Sequence, residues 1–302
     1  MKTFEELDDL AKEVSKASAA QTEPEIRGPL ERLDDSAKQV GRSFSGSWLG
    51  YHSCVYYENL AVPPPGANFS QEWGLKDLSL TRLGSVGRWQ QFDPDYVKQV
   101  VRANADDPDL GPARAAAQAA SSVFDHAKSE VLSILETELS ATSDNFISKL
   151  KETVEKLQLL STIDVVRIWS PNGPLMTRDS LAAGQGSKTP PHIEIRAEIQ
   201  SIRYSFEACQ RLADVCAKAA SHLERRERRT VKQARIGTNV FIGHGRSAAW
   251  REMKDFVQDR LRLPWDEFNR VPVAGMTNIA RLSEMLDAAA IAFLIMTAED
   301  EL

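Results

Sequence analysis

The regular spacing of apolar residues between His192 and about Arg229 constrains the fold more than any other feature of the sequence. Small and apolar side chains recur at alternating steps of four and three residues. They are Ile195, Ile199, Ile202, Phe206, Cys209, Ala213, Cys216, Ala220 and Leu223. A mean step of about 3.5 residues is typical of a helix that buries one continuous seam. The run therefore predicts a single long helix.

A second long helix is available as a partner for this seam. Gly111-Pro112 is a favoured helix start, and apolar residues at helical spacing continue to about residue 139. Packing of the seam on this 112–139 helix is favoured over a homodimer seam. Cys209 and Cys216 lie on the seam, so we expect them to be small buried side chains rather than nucleophiles.

Shorter elements are expected around these two helices. Apolar spacing predicts two helices in the first 45 residues, and Asp144 is expected to be the N-cap of a further helix. Residues 51–58 and 164–169 predict short strands. Residues 170–191 are rich in turn formers and predict a mobile loop.

Aromatic residues are concentrated between residues 44 and 96, which hold ten of the 22 in the chain. Two interpretations stay open. The aromatic side chains form the core of a small α+β domain, or some of them line a pocket that senses a trigger. The candidates for such a pocket are Trp48, Tyr56, Trp73 and Trp89.

Composition excludes several functional classes. A net charge of −6 argues against nucleic acid as a partner, and no apolar run approaches the roughly 18 residues of a membrane span. Three cysteines without a Cys-x-x-Cys pair predict neither a disulfide framework nor a metal site, and they fit a reducing cytoplasm. The cationic run LERRERRTVKQAR is interpreted as a solvated helix end rather than a nucleic-acid patch.

The composition changes after this cationic run, which predicts the domain organisation. Residues 1–229 are expected to form a mainly helical α+β domain with a sensing, regulatory or assembly role. Residues 230–237 are expected to be a linker. Residues 238–302 show the strand–turn–helix pattern of an α/β domain.

The sequence NVFIGHGRSAAW, residues 239–250, places a bare cationic turn after a short apolar strand. A helix is expected from about Ser247 to Arg262, so the turn lies at the carboxyl edge of a parallel sheet, where ligands bind. A Rossmann turn fits the short pattern Gly-x-Gly-x-x-Ala, with Asp266 or Glu267 as its acid. Pro264 and the lack of a β-branched run argue against the second strand that a Rossmann fold needs.

Three ordered segments carry a resemblance to a known family. They are the VFIGHG start at 240–245, GMTNI at 275–279, and the apolar strand with its acidic end at 290–300. Together they resemble the TIR-like domain of bacterial predicted nucleotide-binding proteins. The resemblance implies an incomplete flavodoxin-like (TIR-type) parallel sheet. It also implies an effector of anti-phage defence that cleaves the nicotinamide–ribose bond of NAD and is activated by homo-oligomeric assembly.

The resemblance also implies roles for the turn, with NAD or a related nucleotide as substrate and with no cofactor. Gly243 and Gly245 would let the backbone approach the ligand closely. Arg246 would offer a fork of donors to a phosphate or ribose. His244 would stack on the ligand or hydrogen-bond to it; alternatively it packs at the strand end without a ligand. Arg246 could also pair with Asp266 or Glu267 and only brace the sheet edge.

The glutamate that the family uses for cleavage is expected beyond Leu302. Glu284 is expected to face solvent instead of replacing it. Residues 290–297 are apolar on both faces and predict neighbouring strands on both sides. These observations suggest a truncated, inactive form of an NAD nucleosidase; a non-catalytic nucleotide-binding or assembly module is the alternative.

Overall fold

The structure, a computed structural model, describes residues 2–76, 83–173, 177–235, 238–245, 248–267 and 278–296. The chain divides into two compact units, Met1–Ala220 and Ser221–Leu302, with the longest helix running through the boundary. It is mainly helical, with a small parallel sheet and one antiparallel strand pair. The mixed α+β class predicted from the sequence is confirmed at this level.

The described helices and strands follow one another along the chain. The helices are α1 (Thr3–Ala19), α2 (Pro24–Gly41), α3 (Pro94–Ala103), α4 (Gly111–Ala141), α5 (Asn145–Lys156), α6 (Thr162–Trp169), α7 (Ser180–Gln185), α8 (Pro191–Arg235), α9 (Trp250–Asp255) and α10 (Asn278–Ala288). The strands are β1 (Val55–Tyr57), β2 (Trp89–Gln91), β3 (Asn239–His244), β4 (Trp265–Asp266) and β5 (Ala289–Ile295).

The predicted helices of the first unit are confirmed. Helix α1 packs on α4, and α2 packs on α3 and α4. Their buried faces include the residues expected from the apolar spacing, among them Leu7, Val14, Leu33 and Val40. Asp144 caps α5 by accepting hydrogen bonds from two backbone N–H groups of its first turn, which satisfies donors that a helix start leaves free.

The long seam packs against α4 of the same chain, as the sequence favoured. Cys209 Sγ lies 3.3 Å from the carbonyl oxygen of Ala120, and Ser121 Oγ lies 3.0 Å from Ser205 Oγ. Arg114 of α4 also pairs with Glu198 of α8, seven residues before the Ser121–Ser205 contact on each helix, so α4 and α8 run side by side in the same direction. Burial raises the pKa of Cys209 to about 11 and that of Cys216 to about 12. Both thiols are therefore protonated core side chains rather than nucleophiles.

The strand predicted at 164–169 is wrong, because these residues lie in α6. Ser161 and Asp164 form a reciprocal capping box at the start of this helix: the Ser161 hydroxyl accepts from Asp164 N–H, and the Asp164 carboxylate accepts from Ser161 N–H. This local pattern favours a helix start. The four apolar residues of 164–169 do not distinguish a strand from a short helix by spacing alone.

Two further predictions for the first unit need correction. The strand expected at 51–58 is limited to β1, since residues 50–54 form a 3₁₀ turn before it; β1 pairs antiparallel with β2. The expected loop at 170–191 contains α7, whose N-cap is Asp179. The two segments contact each other, because Tyr51 and His52 of the 3₁₀ turn bond to Asp179, the N-cap of α7. The sequence pattern does not report such long-range contacts.

The second unit contains a three-stranded parallel sheet in the order β4-β3-β5. Its central strand β3 buries Val240, Phe241 and Ile242, and Val257 packs against it from the segment that follows α9. The strand β4 exists although Pro264 argued against it. The proline precedes the strand, and its carbonyl accepts a hydrogen bond from Val240 N–H at 2.8 Å.

Two helix boundaries of the second unit also differ from expectation. The linker predicted at 230–237 is helical as far as Arg235, where α8 ends. The helix expected from 247 to 262 is shorter and less regular: α9 covers six residues, and a π turn follows at Phe256–Arg260.

The strand β5 forms an edge of the sheet among the described residues, where it pairs only with β3. Neighbours on both sides were predicted for it. Its apolar side chains are correspondingly open to solvent, with Leu294 69% exposed. On α10, Met285 is buried, whereas Ile279 is 84% exposed. The side chain of Glu284 and residues 297–302 lie outside the described residues.

None of the described helices is long and apolar enough to cross a membrane.

Candidate functional site

His244 lies at the carboxyl end of the central strand β3, as the sequence predicted. Its Nε2 is 2.5 Å from Oε2 of Glu267, and its Nδ1 is 2.8 Å from the carbonyl oxygen of Gly245. Both partners are hydrogen-bond acceptors, so both ring nitrogens must carry a proton to use them. Burial lowers the pKa of His244, but the bonds to Glu267 and Gly245 outweigh burial and raise it. The geometry therefore favours an imidazolium paired with a carboxylate.

Trp250, at the start of α9, covers one face of the imidazolium. The two rings are stacked, with centroids 4.4 Å apart and planes 7° from parallel. A cation over a tryptophan face is favoured by the ring quadrupole. Since Trp250 occupies one face and protein acceptors engage both nitrogens, the histidine is held rigidly at the strand end. Of the roles expected for His244, stacking on a ligand is therefore limited to the ring face that Trp250 does not cover, because both ring nitrogens already have protein partners.

Gly243 has a packing reason to be glycine. A Cβ atom at this position would lie 2.6 Å from Cδ2 of Leu294 and 3.2 Å from Cε1 of Phe241. The close approach observed at this position is to β5, whereas the sequence interpretation placed a ligand there. Arg246 lies outside the described residues, and so does its expected pairing with Asp266 or Glu267.

Sequence reasoning identified the turn but did not place Glu267 or Trp250 in the site. The sequence offered Glu267 as the acid of a Rossmann fold or as a partner for Arg246, and it did not predict the contact with His244. The signal for Glu267 was its distance from the turn, 23 residues after His244. An acid at about this distance ends the second strand of a dinucleotide-binding unit, and here it directly follows β4.

A second constellation lies in the first unit and contains a serine, a histidine and an aspartate. Ser47 Oγ is 3.1 Å from His52 Nδ1, and His52 Nε2 is 3.2 Å from Asp179 Oδ2. The Tyr51 hydroxyl donates to the same aspartate oxygen. Burial lowers the pKa of His52, and the bond to Asp179 only partly offsets this effect. The neutral ring therefore donates from Nε2 and accepts at Nδ1 from the serine hydroxyl.

This arrangement has the residue types of a hydrolytic triad, but a substrate has no access to it. Ser47, His52 and Asp179 are 4%, 0% and 1% exposed. Gly74 packs directly on the cluster, since a Cβ there would lie 2.7 Å from His52 Nε2 and closer still to Asp179 Oδ2 and Tyr51 Oη. Asp179 also caps α7. The cluster is a satisfied buried network that fixes the loop before β1 against α7.

The aromatic candidates for a sensing pocket favour the core interpretation. Trp48 and Tyr56 are buried, and Tyr56 Oη is 2.8 Å from His192 Nδ1. Trp73 packs against the guanidinium of Arg178, and Trp89 packs on a cluster of buried residues around Tyr51 and Phe69. The rings of this segment therefore hold the first unit together.

Among the described side chains, no group of three or more His, Cys, Asp or Glu residues is placed to hold a metal ion.

Comparison with known proteins finds no relative of this chain. No protein-family model matches the chain, and neither a curated protein nor a solved structure matches it.

Proposed function

We propose that residues 238–302 form a nucleotide-binding unit of the TIR type that takes NAD at the turn after β3. The observation that carries the proposal is the sheet order. Along the chain β3 is the first strand of this sheet, β4 the second and β5 the third. Their spatial order β4-β3-β5 is therefore 2-1-3, and the turn follows the central strand. A flavodoxin-like sheet has this order, whereas in a Rossmann fold the third strand lies beyond the second.

The sheet order supports the turn as the ligand site for a physical reason. In open parallel sheets, ligands bind at the carboxyl edge where successive connections leave the sheet in opposite directions. For a 2-1-3 order, this edge position lies between the first and third strands, here β3 and β5. Gly243 and His244 pair in register with Leu294 and Ile295 at this position. A dinucleotide would lie across the ends of these two strands.

The fixed charges at this edge suit a dinucleotide. The imidazolium of His244 compensates the carboxylate of Glu267 at this edge, and Trp250 and Glu267 restrain the ring from rotating. A group held in place before the ligand arrives loses little entropy on binding. Cleavage of the nicotinamide–ribose bond belongs to the proposal for a chain that carries the glutamate implied by the resemblance. For residues 1–302 the proposal is binding.

Calorimetric titration with NAD tests the proposal. The unchanged protein is expected to bind NAD, and His244→Gln is expected to weaken binding by about tenfold, or about 1.4 kcal/mol, because it leaves the carboxylate of Glu267 without its cation beside the anionic ligand. His126→Gln is the matched control, since this histidine is exposed on α4 in the other unit. Absence of NAD binding by the unchanged protein, or equal loss in both variants, contradicts the proposal.

The edge strand β5 favours assembly as a second candidate function. Its outer edge has no partner strand among the described residues, and Ile291 and Leu294 expose more than half of their surface. Exposed apolar edge strands are prone to pair with another chain. This candidate is compatible with nucleotide binding, because the ligand site lies at the carboxyl end of the strands.

A further inference from the structure

Asp34 of α2 holds three cations where α2 meets α8 in the first unit. Its Oδ1 accepts from Arg196 Nε at 3.1 Å, and its Oδ2 accepts from Arg203 Nη1 at 3.1 Å. Lys38 Nζ lies 2.9 Å from the same Oδ2 atom. Arg196 and Arg203 are seven residues apart on α8, so they share one face of this helix. One carboxylate therefore fixes two guanidinium groups next to each other.

Positive charge exceeds negative charge in this cluster. Burial alone would raise the pKa of Asp34, but the bonds from the three cations outweigh burial and lower it, so the carboxylate is ionised. The nearest further carboxylate is the exposed Asp35, 3.4 Å from Lys38. Within the described part of the chain, no third carboxylate forms an ion pair with these cations. Three cations against two carboxylates leave one positive charge without a counter-charge.

The two guanidinium groups are held in place but remain accessible. A guanidinium carries five N–H groups, and the described residues accept one hydrogen bond from Arg196 and one from Arg203, both at Asp34. Arg196 also packs on the ring of Trp169 at the end of α6, with its Cζ atom 5.4 Å from the ring centroid. The two arginine side chains are still 30% and 29% exposed. Donors on both groups are therefore available to an anion from solvent.

We propose that Arg196 and Arg203, together with Lys38, bind the phosphate group of a small phosphorylated molecule. The fork of an arginine matches the oxygens of a phosphate, and such charged hydrogen bonds are short and strong. The phosphate binds the N–H groups that Asp34 leaves free and supplies the missing negative charge. Because Asp34 and Trp169 orient the guanidinium groups in advance, binding loses little side-chain entropy. Asp34 is thus a positioning residue.

This site is in a different unit from the turn after β3, so the inference does not rest on the proposed function. The sequence led us to expect a sensing, regulatory or assembly role for the first unit. A phosphorylated molecule bound at Arg196 and Arg203 would give that unit a chemical trigger to sense.

Titration with inorganic pyrophosphate tests the site, in calorimetry and in NMR spectra of the arginine Nε–Hε groups, at an ionic strength of about 0.15 M. Saturable binding is expected to shift the signals of Arg196 and Arg203. Arg203→Gln is expected to weaken binding by about tenfold or more, because it removes a charged donor. Arg211→Gln is the matched control, since Arg211 lies on the same helix and pairs with Glu207. This control is expected to bind like the unchanged protein.

Each outcome decides for or against the site. Absence of saturable binding overturns the inference, and so does equal weakening by Arg203→Gln and Arg211→Gln, which would be a response to net charge alone. Binding that disappears in His244→Gln would lie at the turn after β3; it would overturn the inference and leave the proposed function in place. If Arg203→Gln does not fold, Arg203→Lys keeps the charge without the fork and is expected to bind pyrophosphate more weakly. Unchanged affinity in Arg203→Lys would contradict a contact with the fork.

Discussion

Replacement of Gly74 by alanine tests the buried network of Tyr51, His52 and Asp179. Gly74 has φ = +64°, and an added Cβ would lie 2.7 Å from His52 Nε2 and closer to the other two polar atoms. Alanine in the left-handed region costs about 1–2 kcal/mol. Overpacking a filled interior costs about 1–3 kcal/mol more. We therefore expect Gly74→Ala to destabilise the protein by about 2–5 kcal/mol, the sum of these two costs.

The chain offers two matched glycine controls for this measurement. Gly66 also has a positive φ, +89°, but no atom lies within 4 Å of an added Cβ. Gly66→Ala is expected to show the conformational cost alone, about 1–2 kcal/mol. Gly184, within α7, likewise has no atom within 4 Å of an added Cβ and no positive φ. Gly184→Ala is expected to be neutral, or to stabilise by up to about 1 kcal/mol because alanine favours helix.

The free energy of unfolding of the three variants is measured by urea titration, with circular dichroism and tryptophan fluorescence as the two signals. Fluorescence reports on the network because Trp48, Trp73 and Trp89 lie in the same aromatic segment. The packing argument is supported if Gly74→Ala loses about 1–3 kcal/mol more stability than Gly66→Ala does. Equal midpoints for these two variants would refute it, because the contact with the network would then cost nothing.

Two further predictions concern the histidines and the edge strand. In an NMR titration of the imidazole rings, His244 is expected to titrate above 6.5, His52 below it and His192 at about 3. Because its folded pKa is raised, the stabilisation from His244 is complete below its unfolded value and is lost as pH rises through the folded value; a His244 pKa at or below 6.5 would contradict the paired imidazolium. Leu294→Lys is expected to reduce self-association in light scattering, because a charge on an exposed edge strand opposes pairing with a second chain. Lys substituted at the exposed Val62 of the other unit is the control, and an equal reduction in both variants would show that net charge, not the edge, is responsible.

Local patterns in the sequence were sufficient to predict the long helices. The seam of α8 and the apolar spacing of α4 each repeat over many turns, so their period is unambiguous and their partner could be predicted. Over the eight residues of α6 the pattern fits a strand as well as a helix, and only the capping box at Ser161 shows which forms. Short elements depend on their ends and their neighbours more than on their own composition.

In the candidate site, too, the sequence predicted the local feature but not the contacts between distant segments. The glycine-bearing turn after Val240–Ile242 is a local feature, and the sequence alone located it at the end of a buried strand. The two-residue strand β4 exists because it pairs with β3, and that pairing brings Glu267 to His244 across 23 residues. In the first unit, 127 residues separate His52 from Asp179. Sequence spacing determines which side chains share a helix face, whereas contacts between distant segments are set by strand register and packing, so only the tertiary structure reveals them.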